Sequence, residues 1–301
     1  MDKCMVIGST VCDIMIYVDR LPGREGDVHI SKQTMAVGGC AFNSLNILHH
    51  LNIPYTFISP VGTGLYGDFV AKNLKQLGIK SEIRSDLENG CCYCFVEEDG
   101  ERSFISYHKV EYSFNPSWLD SFDLDEYAYI YVCGLEIEEE DGPALVEALS
   151  RFKGQIFFCP GPRAELINPE LMQKMYALSP ILHINEQEIM RLATCTNVEA
   201  AVLKLAKQTQ RPIIVTLGSE GALLFEAGEF KRISGYPNQV VDTIGAGDSH
   251  AGAVIAALYS GMTLSHAVDF ANQVSSLVVG TSGVQLAPDQ YQRLKEKLNT
   301  K

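Results

Sequence analysis

The chain has 301 residues, 46% of them hydrophobic and 20% charged, and a formal net charge of −13. This composition is typical of a globular protein with a sizeable core and excludes a disordered chain. The acidic excess argues against nucleic acid and anionic membranes as partners, because their phosphate groups would be repelled. No apolar run is long enough to span a membrane, and Asp13 interrupts the apolar stretch near the N-terminus. We therefore expect no signal peptide and infer a cytoplasmic protein.

Short apolar strands alternate with helices along the chain. The predicted strands are KCMVIGS (3–9), YTFISPV (55–61), AYIYVCG (128–134), QIFFCPG (155–161), PILHIN (180–185) and RPIIVTLG (211–218). The predicted helices include CAFNSLNILHHL (40–51), YGDFVAKNLKQLG (66–78), GPALVEALSRF (142–152) and VEAAVLKLAKQT (198–209). This alternation predicts an α/β fold in which helices cover both faces of a mostly parallel sheet.

Two segments, 14–37 and 91–108, break this alternation. The second is predicted to be a β-hairpin that turns at Asp99-Gly100. No linker, repeat or low-complexity stretch divides the chain. We therefore expect a single domain over 1–301, with the two segments forming a small sheet outside the main one.

The nine cysteines are predicted to be reduced core residues, because their number is odd and most lie in apolar, strand-like runs of a long chain. Cys91, Cys92 and Cys94 form the densest group. No second CxxC pair and no pair of histidines lies near it in the sequence, so the spacing alone does not indicate a zinc site.

The stretch DTIGAGDSHAGAVIAALYSG (242–261) places small residues and a carboxylate immediately before a long predicted helix. Unpaired N–H groups at a helix start, together with the missing side chains at Gly245 and Gly247, favour an anion such as phosphate. The carboxylates of Asp242 and Asp248 would oppose that anion unless one of them performs chemistry. The pattern therefore predicts that Asp248 takes a proton from a hydroxyl that attacks a phosphate.

A different class of protein is indicated by VGTGLYGDF. Gly62, Gly64 and Gly67 have the G-x-G-x-x-G spacing between a strand and a helix, with Glu82 about 20 residues further on, as in NAD-dependent oxidoreductases. This unit is not the first strand-turn-helix of the chain, and no clear buried strand precedes Glu82. A tight turn that packs a helix onto a strand explains the glycines as well, so the oxidoreductase remains an alternative.

Three stretches, AVGGCAFN, INEQE and DTIGAGD, together resemble the ribokinase-like (PfkB) carbohydrate kinase family. The resemblance covers the whole chain, from GSTVCD to GTSGV. It implies a ribokinase-like three-layer α/β/α fold with a small β-sheet lid, and an enzyme that uses ATP and Mg²⁺ to phosphorylate a hydroxymethyl group of a neutral sugar or nucleoside. A catalytically silent, sugar-binding sensor is a further alternative, and the intact Asp248 argues against it. Cys40 stands where ribokinases proper carry Lys, which leaves the identity of the sugar open.

The resemblance also implies roles for individual residues. Asp248 matches the catalytic base, and the N–H groups of Gly245, Ala246 and Gly247 match an anion hole. The matching sugar-binding positions are Asp13, Gly38, Gly39 and Asn43. Glu136 matches a further one, although its run GLEIEEED is more typical of a solvated acidic helix start. The matching nucleotide positions are Asn185, Glu188, Thr216, Gly218 and Asn272, and Glu188 is expected to organise Mg²⁺ through water.

A monovalent cation and a second copy of the chain are also expected. The Asp242 carboxylate and the main-chain oxygens of Ile244, Val279 and Gly283 match the ligands of a monovalent ion, so the resemblance implies activation by K⁺. The lid stretches CYCFV and SFISY contain apolar and aromatic residues that a detached two-stranded flap could not bury by itself. Pairing of two lids would bury them, which predicts a homodimer formed through the lid.

The acceptor is expected to carry no phosphate of its own. Neither GSTVCDI nor AVGGCAFNSLN contains an Arg or Lys that would bind a second phosphate. The cationic residues of the lid are expected to face solvent; they are Arg24, Lys32, Arg102 and Lys109.

Overall fold

The computed structural model describes residues 3–99 and 101–299. Its strands are β1 Lys3–Ile7, β2 Val11–Tyr17, β3 Lys32–Gly38, β4 Tyr55–Ile58, β5 Pro60–Thr63, β6 Ile83–Glu88, β7 Cys91–Val96, β8 Arg102–Tyr107, β9 Tyr127–Cys133, β10 Gln155–Cys159, β11 Ile181–Asn185, β12 Ile213–Thr216, β13 Gly221–Glu226 and β14 Glu229–Ser234. Its α-helices are α1 Cys40–His50, α2 Gly64–Leu77, α3 Gly134–Glu138, α4 Gly142–Leu149, α5 Pro169–Ala177, α6 Glu186–Ala193, α7 Val198–Thr209, α8 Ala246–Tyr259, α9 Leu264–Val279 and α10 Pro288–Asn299.

An eight-stranded sheet of order β14-β13-β12-β11-β10-β9-β1-β4 forms the centre of the protein. Six neighbouring strands of this sheet run parallel, namely β4, β1, β9, β10, β11 and β12. The last two strands, β13 and β14, are antiparallel to their neighbours. Side chains of β1 alternate between two cores, Cys4 and Val6 in one and Met5 and Ile7 in the other. A strand buried on both faces in this way requires helices on both sides of the sheet, so the predicted α/β class is confirmed.

The stretch predicted as one strand over 55–61 is two strands, which is a correction. The strand β4 belongs to the central sheet, whereas β5 pairs with β6 in a separate two-stranded sheet. Pro60 lies at the break, and its missing N–H prevents it from continuing a ladder as a donor. The helix that follows, α2, ends at Gly78 in the left-handed conformation (φ 73°), as expected.

A second sheet, of four strands in the order β3-β2-β7-β8, comes from the two segments that break the strand-helix alternation. We call it the lid sheet. It begins at Val11 rather than at residue 14. The strands β7 and β8 form the predicted antiparallel hairpin. Of the predicted turn, Asp99 is described and Gly100 lies outside the described residues.

All nine cysteines lie in the described part of the chain and carry free thiols, and six of them are buried. Over residues 3–99 and 101–299, no helix combines the length and apolarity needed to cross a membrane.

Candidate active site

Asp248 lies in the first turn of α8. Gly245, the residue that precedes this helix, has a left-handed conformation (φ 70°). A Cβ atom at Gly245 would come within 2.4 Å of Val284 Cγ1, so both conformation and space require glycine there. A Cβ at Gly247 would meet nothing within 4 Å, which leaves that side of the helix start open. The N–H of Ala246 is already hydrogen bonded to the Thr243 carbonyl at 3.3 Å. Of the three predicted anion-hole residues, Ala246 thus has a weak partner within the protein.

The carboxylate of Asp248 accepts a hydrogen bond from Asn43 Nδ2 at 3.0 Å. Asn43 is buried on α1, which packs directly against α8. Burial raises the pKa of Asp248 to about 6, against hydrogen bonds from Asn43 and the Cys40 thiol that favour the charged form, and the charge of Glu188 raises it further. Asp248 is therefore more basic than an exposed aspartate and remains largely ionised at neutral pH.

The double glycine makes room for the carboxylate of Asp13 on β2. A Cβ at Gly38 would lie 1.9 Å from Asp13 Oδ2, and one at Gly39 (φ 96°) would lie 2.6 Å from the Ser9 carbonyl oxygen. Within residues 3–99 and 101–299, no group donates a hydrogen bond to the Asp13 carboxylate. Burial, with the nearby Cys92 and acidic side chains, raises the pKa of Asp13 well above its usual value. An enclosed carboxylate without a protein partner is available to a ligand.

Glu136 is buried, at 2% exposure, so the interpretation of its run as a solvated helix start is wrong. Its Oε1 atom accepts the Ser9 N–H at 2.8 Å, and its Oε2 atom has no hydrogen-bond partner among the described residues. Burial raises the pKa of Glu136 to about 7. Of the neighbouring acids, Glu138 forms an ion pair with Arg163, and Glu139 Oε1 lies 2.6 Å from His108 Nδ1. The run lies against the protein because α3 is short and packs next to β9 and α4.

A cavity of about 510 Å³ adjoins the start of α8. It is lined by Ala246 and Gly247 together with three of the predicted nucleotide residues, Thr216, Gly218 and Asn272. Thr216 ends β12, and Gly218 adopts a left-handed conformation (φ 59°) just after it. The structure thus brings these five residues to one cavity at the carboxyl end of the sheet, where open α/β sheets bind ligands.

Asn185 and Glu188 lie beside this cavity rather than in its wall. They form a capping box at the start of α6, with Glu188 N–H donating to Asn185 Oδ1 at 2.8 Å and Asn185 N–H donating to Glu188 Oε2 at 3.2 Å. Asn185 is the register partner of Thr216 in the next strand. The capping box leaves Glu188 Oε1 and Asn185 Nδ2 for other contacts.

Asn272 holds the wall of the cavity through hydrogen bonds within the protein. Its Nδ2 donates to the carbonyls of Ile233 and Ser234, both at 3.1 Å, so its Oδ1 faces His250 Nε2 at 3.0 Å. His250 Nε2 is then the donor, and His250 Nδ1 accepts from His183 Nε2 at 2.8 Å. Burial lowers the pKa of His250 to about 4, which keeps the ring neutral. His183 has no local signal in the sequence that connects it to this network.

The four residues predicted to hold a monovalent cation do lie together. Asp242 Oδ1 accepts the Ile244 N–H at 2.8 Å, and its Oδ2 accepts the Gly283 N–H at 3.3 Å. The Val279 carbonyl accepts two N–H groups, at 2.9 and 3.1 Å. Most of the oxygen atoms that the resemblance assigns to an ion therefore have partners in the protein.

Arg102 fills the remaining position on this carboxylate. From lid strand β8, its Nη1 lies 2.7 Å from Asp242 Oδ1. The expectation that Arg102 faces solvent is therefore wrong. A guanidinium and a monovalent cation would compete for the same negative charge, so the residues present do not fit a K⁺ ion while the ion pair is formed. The sequence carries no local signal for this contact, because its partners are 140 residues apart.

The glycines of the alternative motif serve close packing. A Cβ at Gly62 would lie 2.1 Å from the Leu87 carbonyl oxygen, and one at Gly67 would lie 2.6 Å from the backbone of Gly62. Gly64 supplies the left-handed turn (φ 79°) between β5 and α2. Glu82 lies on the surface. This turn packs α2 against β5 and the end of β6.

Comparisons with known proteins identify the family of the chain and its fold. The pfkB family of carbohydrate kinases matches residues 1–290. The uncharacterised sugar kinase YegV of Escherichia coli strain K12 is 36% identical over 296 residues, which covers 96% of this chain and 92% of YegV. The crystal structure of a ribokinase from Thermotoga maritima matches with a TM-score of 0.84 at 24% identity and covers 98% of this chain and 100% of that one. A ribokinase of Arabidopsis thaliana complexed with ribose and ATP matches with a TM-score of 0.80 at 21% identity, covering 98% and 99%.

These matches decide between the alternatives. The family match runs through Gly62, Gly64 and Gly67, whose geometry is that of a packing turn, so the oxidoreductase interpretation is wrong. The ribokinase-like fold is confirmed by structures that align with nearly the whole chain. The protein is an enzyme and belongs to the pfkB family of carbohydrate kinases.

Proposed function

We propose that the protein is an ATP-dependent kinase that phosphorylates a hydroxymethyl group of a neutral sugar or nucleoside, with Asp248 as the general base. One observation carries the proposal, namely the position of Asp248. It is hydrogen bonded to Asn43 and directly follows Gly247, which lines the 510 Å³ cavity. A base at this point adjoins both a space for a nucleotide and a set of acceptor-binding side chains.

Asp248 takes the proton of the attacking hydroxyl. With a pKa of about 6 it is mostly ionised at pH 7 and still accepts a proton more readily than an exposed aspartate. Asn43 Nδ2 donates to one of its oxygens, Oδ2, and so orients the carboxylate. The N–H groups at Gly245 and Gly247 stabilise negative charge that develops on the transferred phosphoryl group, aided by the helix dipole.

Asp13, Asn43 and Glu136 bind the other hydroxyls of the acceptor. The Asp13 carboxylate, Asn43 Oδ1 and Glu136 Oε2 have no hydrogen-bond partners among the described residues. These atoms are acceptors, and hydroxyl groups are the donors that suit them. A polyol or a ribose ring supplies such donors at adjacent carbons.

ATP occupies the cavity lined by Thr216, Gly218 and Asn272, whose volume of about 510 Å³ is in the usual range for small-molecule sites. Mg²⁺ fits beside it, because Glu188 Oε1 lies outside the capping box and Mg²⁺ commonly uses one carboxylate and several waters. When bound, Mg²⁺ neutralises charge on the triphosphate. We expect Glu188→Gln to raise the Mg²⁺ concentration needed for half-maximal activity, and Glu186→Gln in the same helical turn to leave it unchanged. An unchanged requirement in Glu188→Gln would remove this role.

The charges around Asp13 support an acceptor without its own phosphate. The ionisable groups that act on it are Cys92, Asp248 and Asp242, which are negative when ionised. Arg102, on the lid, pairs with Asp242. The other cationic lid residues are exposed; they are Arg24, Lys32 and Lys109. A phosphate dianion near Asp13 would be repelled without a free cationic partner.

The deciding experiment is an ADP-release assay over a panel of sugars and nucleosides. We expect phosphorylation of at least one neutral compound, and at least about tenfold lower kcat/KM with fructose 1-phosphate, fructose 6-phosphate or tagatose 6-phosphate. Asp248→Asn should lower kcat by about 100-fold or more and leave binding of both substrates nearly intact. Asp289→Asn, in the first turn of α10, is the matched control. Preference for a sugar phosphate, or near-normal turnover in Asp248→Asn, would refute the proposal.

The active form is a homodimer in which two lid sheets pack together. On the face of the lid sheet opposite Asp13, the register places Met35, Ile105 and Tyr107. Their exposed fractions are 37%, 60% and 52%. Met35 lies on edge strand β3, and Ile105 and Tyr107 lie on the other edge strand, β8. Exposed apolar side chains at sheet edges favour association, and the lid sheet of a second copy presents the same edges.

A further inference from the structure

A set of metal-binding side chains lies on the face of the lid sheet that carries Asp13. We infer that Asp13, Cys92 and Cys94 form a site for a thiophilic divalent cation of the zinc class, and that the bound cation excludes the acceptor sugar. Binding of the cation is independent of the proposed function. Only the exclusion of the sugar rests on the proposal that Asp13 binds it.

The register of two neighbouring strands creates this site. In the parallel pair β2 and β7, Asp13 is the direct partner of Cys92, and Cys94 lies two residues further on the same face. One ligand atom from each of the three side chains lies within 4.8 Å of the others. Sequence spacing did not indicate this site, because Cys92 and Cys94 supply only two ligands and the third comes from a different strand.

The two thiols already have the separation that a tetrahedral metal requires. Cys92 Sγ and Cys94 Sγ are 3.7 Å apart. Two sulfurs bound to one tetrahedral zinc ion at about 2.3 Å each lie about 3.8 Å from one another. No rearrangement of the strand is therefore needed to bring both sulfurs onto one ion.

The third ligand, the Asp13 carboxylate, is free to bind a metal. Among the described residues, nothing donates a hydrogen bond to the Asp13 carboxylate, so the metal displaces no protein contact there. Ser106 Oγ lies 3.5 Å from Cys92 Sγ and borders the fourth position, which water can fill. Each thiol releases its proton to solvent as its sulfur binds the ion.

The donor set selects the class of metal. Two sulfurs and one carboxylate suit zinc and cadmium, whereas Mg²⁺ prefers oxygen donors and retains several waters. The Mg²⁺ that accompanies a nucleotide therefore does not compete for this site. A cation bound to Asp13 occupies the carboxylate that is proposed to accept the sugar hydroxyls, so the metal and the sugar exclude each other.

Cadmium binding tests the site directly, without any assay of activity. The reduced, full-length protein is titrated with Cd²⁺, and binding is followed by sulfur-to-metal charge-transfer absorption in the ultraviolet. We expect Cys92→Ser and Cys94→Ala each to lower the affinity at least tenfold. Cys195→Ser, which alters a half-buried thiol just after α6, should leave it unchanged.

Circular dichroism confirms the fold of each variant. Because Cys92 is only half-buried, Cys92→Ser remains informative even if Cys94→Ala unfolds. Equal Cd²⁺ affinity in the wild type and Cys92→Ser would overturn the site.

Inhibition by Zn²⁺ tests the second half of the inference. With Mg²⁺ and ATP held constant, buffered Zn²⁺ should raise KM for the acceptor and lose its effect at saturating acceptor. Cys92→Ser should need at least tenfold more Zn²⁺ for the same inhibition. Inhibition that competes with ATP instead, or that persists unchanged at saturating acceptor, would overturn the exclusion. Failure of all acceptors to react would refute the proposed kinase activity and leave the Cd²⁺ result standing.

Discussion

Arg102 and Asp242 join the lid sheet to the loop that precedes α8, with Arg102 Nη1 2.7 Å from Asp242 Oδ1. Their side chains are only 19% and 11% exposed. The same carboxylate oxygen accepts the Ile244 N–H, so one acidic side chain holds both the lid arginine and the loop backbone. An ion pair largely removed from water is costly to break on one side, because the remaining charge is left uncompensated. The position of the lid sheet and the conformation of this loop are therefore coupled.

The first prediction concerns this ion pair and K⁺. We expect the wild type to turn over equally fast in K⁺ and in a bulky organic cation, because the Arg102 guanidinium supplies the positive charge at Asp242. Arg102→Gln should lower kcat/KM at least about tenfold and make the rate depend on K⁺, since the ion then takes the vacated place. ADP release measured across a K⁺ series checks both statements.

Arg232→Gln is the control, because Arg232 is an exposed arginine with a long 3.7 Å contact to Glu220. It should match the wild type in rate and in its indifference to K⁺. Activation of the wild type and of Arg102→Gln by K⁺ to the same degree would contradict the idea that the guanidinium replaces the ion.

The second prediction is the pH dependence of turnover. Asp248 must be ionised to accept a proton, and its pKa of about 6 in the free protein means that kcat/KM falls as the pH drops through 6. The Asn43 hydrogen bond favours the charged form, so its loss in Asn43→Ala should move this acidic limb to higher pH. Profiles of kcat/KM against pH for the wild type and Asn43→Ala measure both. An acidic limb at the same pH in Asn43→Ala would show that another group controls it.

The third prediction concerns the stability cost of Glu136. The pKa of Glu136 in the folded protein, about 7, lies above its ordinary value of 4.5. The folded protein therefore holds this proton more tightly than the unfolded chain does, and the stability that this contributes below pH 4.5 is lost as the pH rises through 7. Glutamine stays neutral. Between pH 5 and pH 8, the unfolding free energy of Glu136→Gln should therefore rise by about 2.5 kcal/mol relative to that of the wild type.

Urea unfolding of both proteins at the two pH values measures this gain. Comparing two pH values cancels any cost of the substitution that does not depend on pH. Glu199→Gln, which changes an exposed acid in the first turn of α7, should show no such gain. The same gain in both variants would locate the effect elsewhere in the protein.

The fourth prediction is that the lid sheets pair in solution. Sedimentation velocity of the wild type at micromolar concentration should show a dimer. Ile105→Glu should shift it to monomer, because a charge on an apolar interface is left without a partner. Leu203→Glu, at an exposed apolar position on α7, should not change the oligomeric state. A monomeric wild type would exclude the lid dimer.

The sequence by itself determined the fold class and the local parts of the site. Alternating apolar strands and helices predict a mostly parallel, doubly covered sheet, because side-chain periodicity is a short-range property of the chain. The helix start at Gly245 to Asp248 depends on a few consecutive residues, and so does the end of α2 at Gly78. Such features are encoded where they occur and need no distant partner.

Only the tertiary structure decided which groups meet. Arg102 reaches Asp242 across 140 residues, and Asp13 lies beside Cys92 because two distant strands pair in one register. The burial of Glu136 contradicts its acidic surroundings in the sequence, since the packing of α3 and not the composition of the run determines its exposure. Burial and through-space contact set both pKa values and ligand sets, and neither is a property of a short stretch of sequence.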